Sequence, residues 1–251
     1  MIINVLNNKG GVGKTTITQN LGIYLASTGL KIGLIDFDSQ ANLSYSIKHT
    51  PNLDVRTLIL KKQPISINEF SETIYPNLYL LPNNKDIDTT LFTSFNDTDR
   101  LFILKDILQK NTGFDLILID NAPSVDTQSI VTLIASDYVL VPVEFEVFSA
   151  IGLSVLYDAI NSVKRLNPDL KMLGILPSKV DERFKITNEV RKSLQRNISE
   201  DVLNSAIRTN VKFKSAQMQQ QSIFEFEKNE SEKKGITDII AVAEEILNKI
   251  K

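Results

Sequence analysis

Short apolar runs alternate with amphipathic stretches along the chain. That alternation predicts an α/β fold with a mostly parallel sheet. Ile2–Leu6 reads as a first strand. Thr15–Thr28 reads as a helix with Ile17, Leu21 and Leu25 on one face, and Gly29 is placed to end it. Lys31–Asp36, Leu78–Leu81, Asp115–Asp120, Tyr138–Val143 and Met172–Leu176 read as further strands. Their continuous apolar character suits parallel strands covered on both faces, so helices are expected on both sides of a twisted sheet. Near the C-terminus Ile236, Ile239, Ile240, Ala243, Ile246, Leu247 and Ile250 recur at helical spacing. No internal repeat interrupts the pattern, and residues 1–251 read as a single domain.

Composition narrows the chemistry. Hydrophobic residues make up 42% of 251 residues, enough to bury a sizeable core. The absence of cysteine excludes a disulfide framework, a Cys-ligated zinc site and an iron–sulfur cluster. No apolar run is long enough to span a bilayer and no signal peptide is recognisable, so a cytoplasmic protein is expected. The net charge of −2 means that any contact with nucleic acid must come from a local patch.

The most informative segment is Lys9-Gly10-Gly11-Val12-Gly13-Lys14-Thr15-Thr16, which follows a strand and opens a helix. Glycines there let backbone N–H groups curl around an anion, and the helix N-terminus adds partial positive charge. This is the context of a P-loop NTPase, with Gly10 to Thr16 cradling phosphates, Lys14 reaching the β- and γ-phosphates and the Thr15 hydroxyl holding Mg²⁺. Asp120 ends an apolar strand as a Walker B aspartate does and is a second Mg²⁺ candidate. Asp36 and Asp38 end another strand at the same sheet edge, where ligands of open α/β sheets bind.

Lys9 distinguishes this loop from an ordinary Walker A motif. The sequence resembles the deviant Walker A group and, within it, the ParA/Soj partition ATPases of the MinD/ParA family. Lys9–Thr16 is similar to the family's KGGVGKTT. Asp36–Asn42 is similar to D-x-D-P-Q-G-N, with Ser39 and Ala41 in the Pro and Gly places. Asp115–Ser124 is similar to Y-D-hhhh-D-x-P-P-S, and Pro142–Phe148 to P-V-Q-P-E-x-F. Ile207–Asn210 is similar to I-P-R-N, with Arg208 and Thr209 in the Pro and Arg places. The resemblance implies an ATPase that uses ATP and Mg²⁺. It implies that Lys9 crosses to a partner subunit's phosphates, that Asp38 positions the attacking water and joins Thr15 and Asp120 at the Mg²⁺ site, and that Asn210 belongs to the nucleotide site. It also implies an ATP-dependent homodimer stimulated by a ParB-like partner.

Residues 179–214 hold nine Lys/Arg against five Asp/Glu, a local excess of +4. The resemblance places a DNA-binding surface here, with Arg191, Arg196 and Lys214 as leading candidates. Paired in a dimer, two modest patches would bind double-stranded DNA without sequence preference and place the protein on the nucleoid. No helix-turn-helix segment precedes the loop, so sequence-specific operator binding is not expected. The alternatives are a MinD-like membrane-positioning ATPase and a ParA-like positioner of protein cargo. The segment after Gly235 lacks the aromatic residues that favour an interfacial helix, so no membrane partner is expected.

Overall fold

In the computed structural model the described residues are 1–84, 97–108, 113–124, 126–144, 149–181 and 201–251. Among them, seven strands form one sheet: β1 (Ile2–Val5), β2 (Ile32–Phe37), β3 (Ser71–Glu72), β4 (Leu78–Leu81), β5 (Leu116–Asn121), β6 (Tyr138–Glu144) and β7 (Lys171–Ser178). Their order is β3-β4-β2-β5-β1-β6-β7. Six of these strands run parallel, and the two-residue edge strand β3 pairs antiparallel with β4. The expected strands are all present; Leu78–Leu81 has the expected bounds, and the others differ at their ends by one or two residues. β3 is an addition to them, because two residues carry no periodicity.

β2 and β5 are buried at every position, as their apolar runs predict, and that burial extends to Asp36, Asp120 and Asn121 at their ends. One face of the sheet is covered by α1 (Lys14–Ser27) and the C-terminal helix, here α9 (Lys234–Ile250). Leu21, Leu25, Leu34, Leu118, Ile239 and Val242 meet there. The other face carries α3 (Val55–Lys61), α4 (Asp97–Leu108), α5 (Thr127–Ile134) and α6 (Ser149–Val163). Short helices α2 (Asn42–Ser46), α7 (Val211–Met218) and α8 (Ile223–Phe226) lie in the connections. The architecture is the P-loop sheet with helices on both faces.

α1 departs from its expected one-sided pattern. Ten of its 14 residues are buried, among them Thr18, Gln19 and Asn20. Each of these polar side chains has a partner. Thr18 donates to the Lys14 carbonyl (3.0 Å), and Gln19 donates to the Ser46 carbonyl (3.0 Å). The Asn20 oxygen accepts from the Ile223 N–H (2.8 Å). A helix buried nearly all round shows little amphipathic contrast, and its buried polar groups are tolerated because they are satisfied. Its apolar residues at 17, 21 and 25 still face the sheet.

Candidate functional site

Parallel strands all end at one edge, and the site is built there. β1 delivers the loop that opens α1. Gly11 (φ 76°) and Gly13 (φ 97°) take left-handed backbone conformations, which L side chains disfavour. Gly13 is the N-cap of α1. No side chain caps that helix, and its first turn carries no acidic residue. By contrast, Asp54 caps α3 and Asp126 caps α5 with side-chain bonds. The uncapped backbone donors of α1 are therefore available to an anion. The entry to the loop is braced by Asn7, whose amide donates to the Pro142 carbonyl (2.6 Å) and accepts from the Lys9 N–H (2.9 Å). Val12 is buried beneath the loop, and its carbonyl accepts from Ser178 Oγ (2.8 Å).

Lys14 is 6% exposed, and its Nζ lies 3.3 Å from the Lys9 carbonyl. Burial pushes its pKa down, opposed by the charges of Asp120 and Asp38. Thr15 Oγ1 donates to Asp120 Oδ2 at 2.7 Å. Asp120 is fully buried, and its Oδ1 has no hydrogen-bond partner. Desolvation and the charge of Asp36 hold its pKa well above the usual carboxylate range. An orphaned carboxylate oxygen beside a threonine hydroxyl at the foot of an anion cradle is a donor set for a hard, oxygen-seeking cation. It fits Mg²⁺, which takes one or two carboxylates and completes its shell with phosphate and water.

Asp38 lines the same cleft, and its Oδ1 accepts from the Gln40 N–H (2.9 Å). Asn83 donates to the Asp38 carbonyl (2.8 Å), so the segment after β4 helps to hold this turn. Asp36 points elsewhere. It accepts from the Ser44 N–H and hydroxyl, both at 2.7 Å, and from the Asp38 N–H at 3.1 Å. Desolvation raises its pKa to about 6. It is a buried brace for the Asp38 turn. Ala41, in the place of the family's glycine, has φ 54° and ψ 35°. The turn needs a left-handed residue whichever side chain stands there.

The cleft has a volume of about 610 Å³ and is lined by Gly10, Lys14, Thr15, Asp38, Pro123 and Lys179, among others. An adjoining recess of about 310 Å³ is bounded by the loop and by Ile207, Asn210 and Phe213. Asn210 lines this recess, and its amide is also used locally. It caps α7 by accepting from the Lys212 N–H (2.9 Å) and donates to Glu227 (2.8 Å). Arg208 also lines the recess and forms a bidentate pair with Asp238, Nη2 to Oδ1 at 2.8 Å and Nε to Oδ2 at 3.1 Å, and so ties the recess to α9. Of the basic candidates, Lys214 lines the cleft itself. Arg191 and Arg196 lie outside the described residues. Lys212 pairs with Glu230 (3.2 Å).

Two residues at the cleft are not marked by their motifs. Lys179 belongs to the basic stretch by sequence, yet it stands over the phosphate loop. Glu144 falls inside the segment Pro142–Phe148, yet it pairs with both Lys9 (3.5 Å) and Lys179 (3.7 Å). Its one signal in the sequence is a carboxylate in the place where the family motif has glutamine.

Known proteins are similar to this chain in sequence and in fold. A family model described as an AAA domain matches residues 1–172. The chromosome-partitioning ATPase Soj of Treponema pallidum is 36% identical over 84% of this chain and 84% of its own. The chromosome partitioning protein ParA of Caulobacter vibrioides is 30% identical over 86% of this chain and 83% of its own. Among solved structures, a cobyrinic acid a,c-diamide synthase from Mycobacterium smegmatis with bound ADP and magnesium superposes with a TM-score of 0.74. It is 27% identical and covers 93% of this chain and 97% of that one. The loop, the Thr15–Asp120 pair and these relatives lead to one conclusion: the chain belongs to the ParA/MinD family of P-loop partition ATPases, enzymes that use ATP and magnesium.

Proposed function

We propose that this ATPase dimerises around ATP, binds double-stranded DNA as a dimer without sequence preference, and is reset by slow, partner-stimulated hydrolysis during DNA partitioning on the cytoplasmic nucleoid. The observation that carries the dimer is the rim of the cleft. Tyr45 (62% exposed) and Met218 (71%) line it, and Val211 (79%) lines the adjoining recess. Large exposed apolar side chains around a polar cleft mark a protein-binding surface. Lys9, whose side chain is 46% exposed and pairs with Glu144, would reach a second copy seated there. A cation donated across such an interface offsets phosphate charge as an arginine finger does.

Within one subunit, the α1 N-terminus and Lys14 hold the phosphates. Bound Mg²⁺, held by Thr15 and Asp120, supplies charge neutralisation of the phosphate oxygens. Asp38 orients the attacking water from the far wall of the cleft, in a turn that Asp36 and Asn83 keep in place. A ParB-like protein is the expected stimulator.

DNA binding rests on the basic stretch, in which Arg191 and Arg196 are the leading cations. A membrane role is less well supported, because the apolar stripe of α9 is already used: Ile239, Val242, Ala243 and Ile246 are buried in the core. The test is DNA affinity across a salt series with ATP, ADP or no nucleotide, for wild type, Lys14→Ala and the double variant Arg191→Glu/Arg196→Glu. Binding is expected only for wild type with ATP, and removing one phosphate-binding cation should lower the salt slope by about one. Equal binding by the double variant would move the patch elsewhere. Binding to anionic liposomes in place of DNA would favour the MinD-like reading. ATP-dependent DNA binding that moves a protein assembly in place of DNA would favour the cargo reading.

A further inference from the structure

We propose that Lys179 is a second phosphate ligand of the nucleotide cleft, acting in its own subunit, and that Glu144 competes with the nucleotide for Lys179 and Lys9. The proposal rests on the reading of the cleft as an ATP site and adds a phosphate-binding residue to it. Sheet order brings the three groups together. β1, β6 and β7 are neighbours. Their ends deliver Lys9, Glu144 and Lys179 to one edge, with Glu144 in register with Ser178. Residues far apart in the chain thus become three corners of one charge cluster.

Lys179 is also held in position. Its backbone takes φ 51°, an unfavourable conformation for an L residue outside a turn built to require it. The carbonyl of Lys179 accepts from Thr209 Oγ1 (2.9 Å), and Val180 exchanges backbone bonds with Ile207 (3.0 Å) and Thr209 (2.9 Å). A backbone fastened by its neighbours fixes where the side chain of Lys179 starts, and its four-carbon stem reaches one place in this structure. That place is above the phosphate loop, where Nζ stands 4.0 Å from the point that a Cβ on Gly11 would occupy. Lys179 lines the cleft and also the recess near Ile207 and Asn210, so it sits between the loop and the candidate base site. A cation there faces the α- and β-phosphates, which ADP and ATP share.

Glu144 serves both lysines with one carboxylate, Oε2 to Lys9 and Oε1 to Lys179. Separations of 3.5 and 3.7 Å exceed the 2.7–2.9 Å usual for a strong charge-assisted bond. The lysines are about half exposed, so solvent screens both pairs. A polyphosphate carries more charge and more acceptor oxygens than this carboxylate and displaces it.

The test is titration of fluorescent ADP and of a non-hydrolysable ATP analogue, each with Mg²⁺, against wild type, Lys179→Met, Lys179→Arg, Glu144→Gln and the double variant Lys179→Met/Glu144→Gln. Lys179→Met is expected to weaken both nucleotides alike by about tenfold, with Lys179→Arg close to wild type. Glu144→Gln is expected to tighten both several-fold. In the Glu144→Gln background Lys179→Met should still weaken binding by about tenfold. An effect of Lys179→Met that disappears in that background would mean that the lysine only neutralises Glu144, and the proposal fails. It fails also if Lys179→Met binds as wild type does, or loses affinity for the ATP analogue alone. Lys14→Ala in the same assay separates the two layers. If it binds as tightly as wild type, or if wild type binds neither nucleotide, the ATP-site reading itself is wrong.

Discussion

Removing the Lys9 side chain takes a half-exposed cation from the mouth of the cleft, whereas removing Asp38 takes a buried carboxylate from its far wall. The two losses are expected to act in opposite directions. Lys9→Ala should fold and bind nucleotide but sediment as a monomer with ATP and Mg²⁺. Asp38→Ala should bind ATP, lose turnover by about 10²–10⁴-fold as expected for loss of a water-orienting group, and persist as the dimer. A Lys9→Ala protein that dimerises like wild type, or an Asp38→Ala protein that cannot bind ATP, would assign these residues to structure instead. At this scale the sequence is legible where a role depends on residue type and local spacing. Gly11, Gly13, Lys14 and Thr15 fall where the motif puts them. Arg208 and Asn210 show the limit. Their partners, Asp238 and Glu227, lie 30 and 17 positions away in the chain, and no local pattern announces such bonds.

The helix α1 carries the loop, so its seat on the sheet sets where the phosphates are held. Gly22 is the contact point. A Cβ added there would stand 2.7 Å from Leu34 Cδ2 on β2, too close without movement. Helix propensity favours alanine over glycine by about 1 kcal/mol, but overpacking a filled core costs about 1–3 kcal/mol. Leu34 is fully buried and has little room to yield. Gly22→Ala is therefore expected to lower stability by about 1 kcal/mol in urea denaturation, against the sign that propensity gives. An unchanged or higher midpoint would show that Leu34 repacks freely. Ile17, Leu21 and Leu25 are enough to place this helix from sequence, but the glycine in its middle has no legible meaning until β2 lies beneath it.

Across the whole molecule, the C-terminal helix α9 closes one face of the sheet and fastens the chain that walls the recess. Glu245 accepts from the Asn204 N–H (2.8 Å) and the Ser205 N–H (2.7 Å), just before Ile207 to Asn210. Burial pushes the Glu245 pKa up, but the hydrogen bonds from Asn204 and Ser205 outweigh it and hold the group below its ordinary value of 4.5. A carboxyl depressed in the folded chain stabilises it above the unfolded value, and that contribution is lost as pH falls through the folded one. Glu245→Ala is expected to cost about 1 kcal/mol at pH 7, a charged hydrogen-bond pair discounted for partial exposure. The gap between variant and wild type should narrow as pH falls below 4.5, the ordinary value of the group. Denaturation midpoints at about pH 7 and about pH 3.5 check this, and a gap that stays constant would remove Glu245 as the titrating tie.

Strand periodicity, the glycine-rich loop and the carboxylates at strand ends are written in contiguous residues, because each depends on backbone sterics and burial within a few positions. These features are enough to determine the parallel sheet, the phosphate loop and the Thr15, Asp38 and Asp120 candidates. What encloses the loop is decided by tertiary structure. The strand order brings Glu144 and Lys179 beside Lys9, α7 turns Lys214 toward the cleft, and Asp238 pins Arg208 at the wall of the recess. These side chains gain their roles from charge and distance across the fold. Electrostatic pairing acts between whichever groups the packed core makes neighbours, and a linear sequence does not display those neighbours.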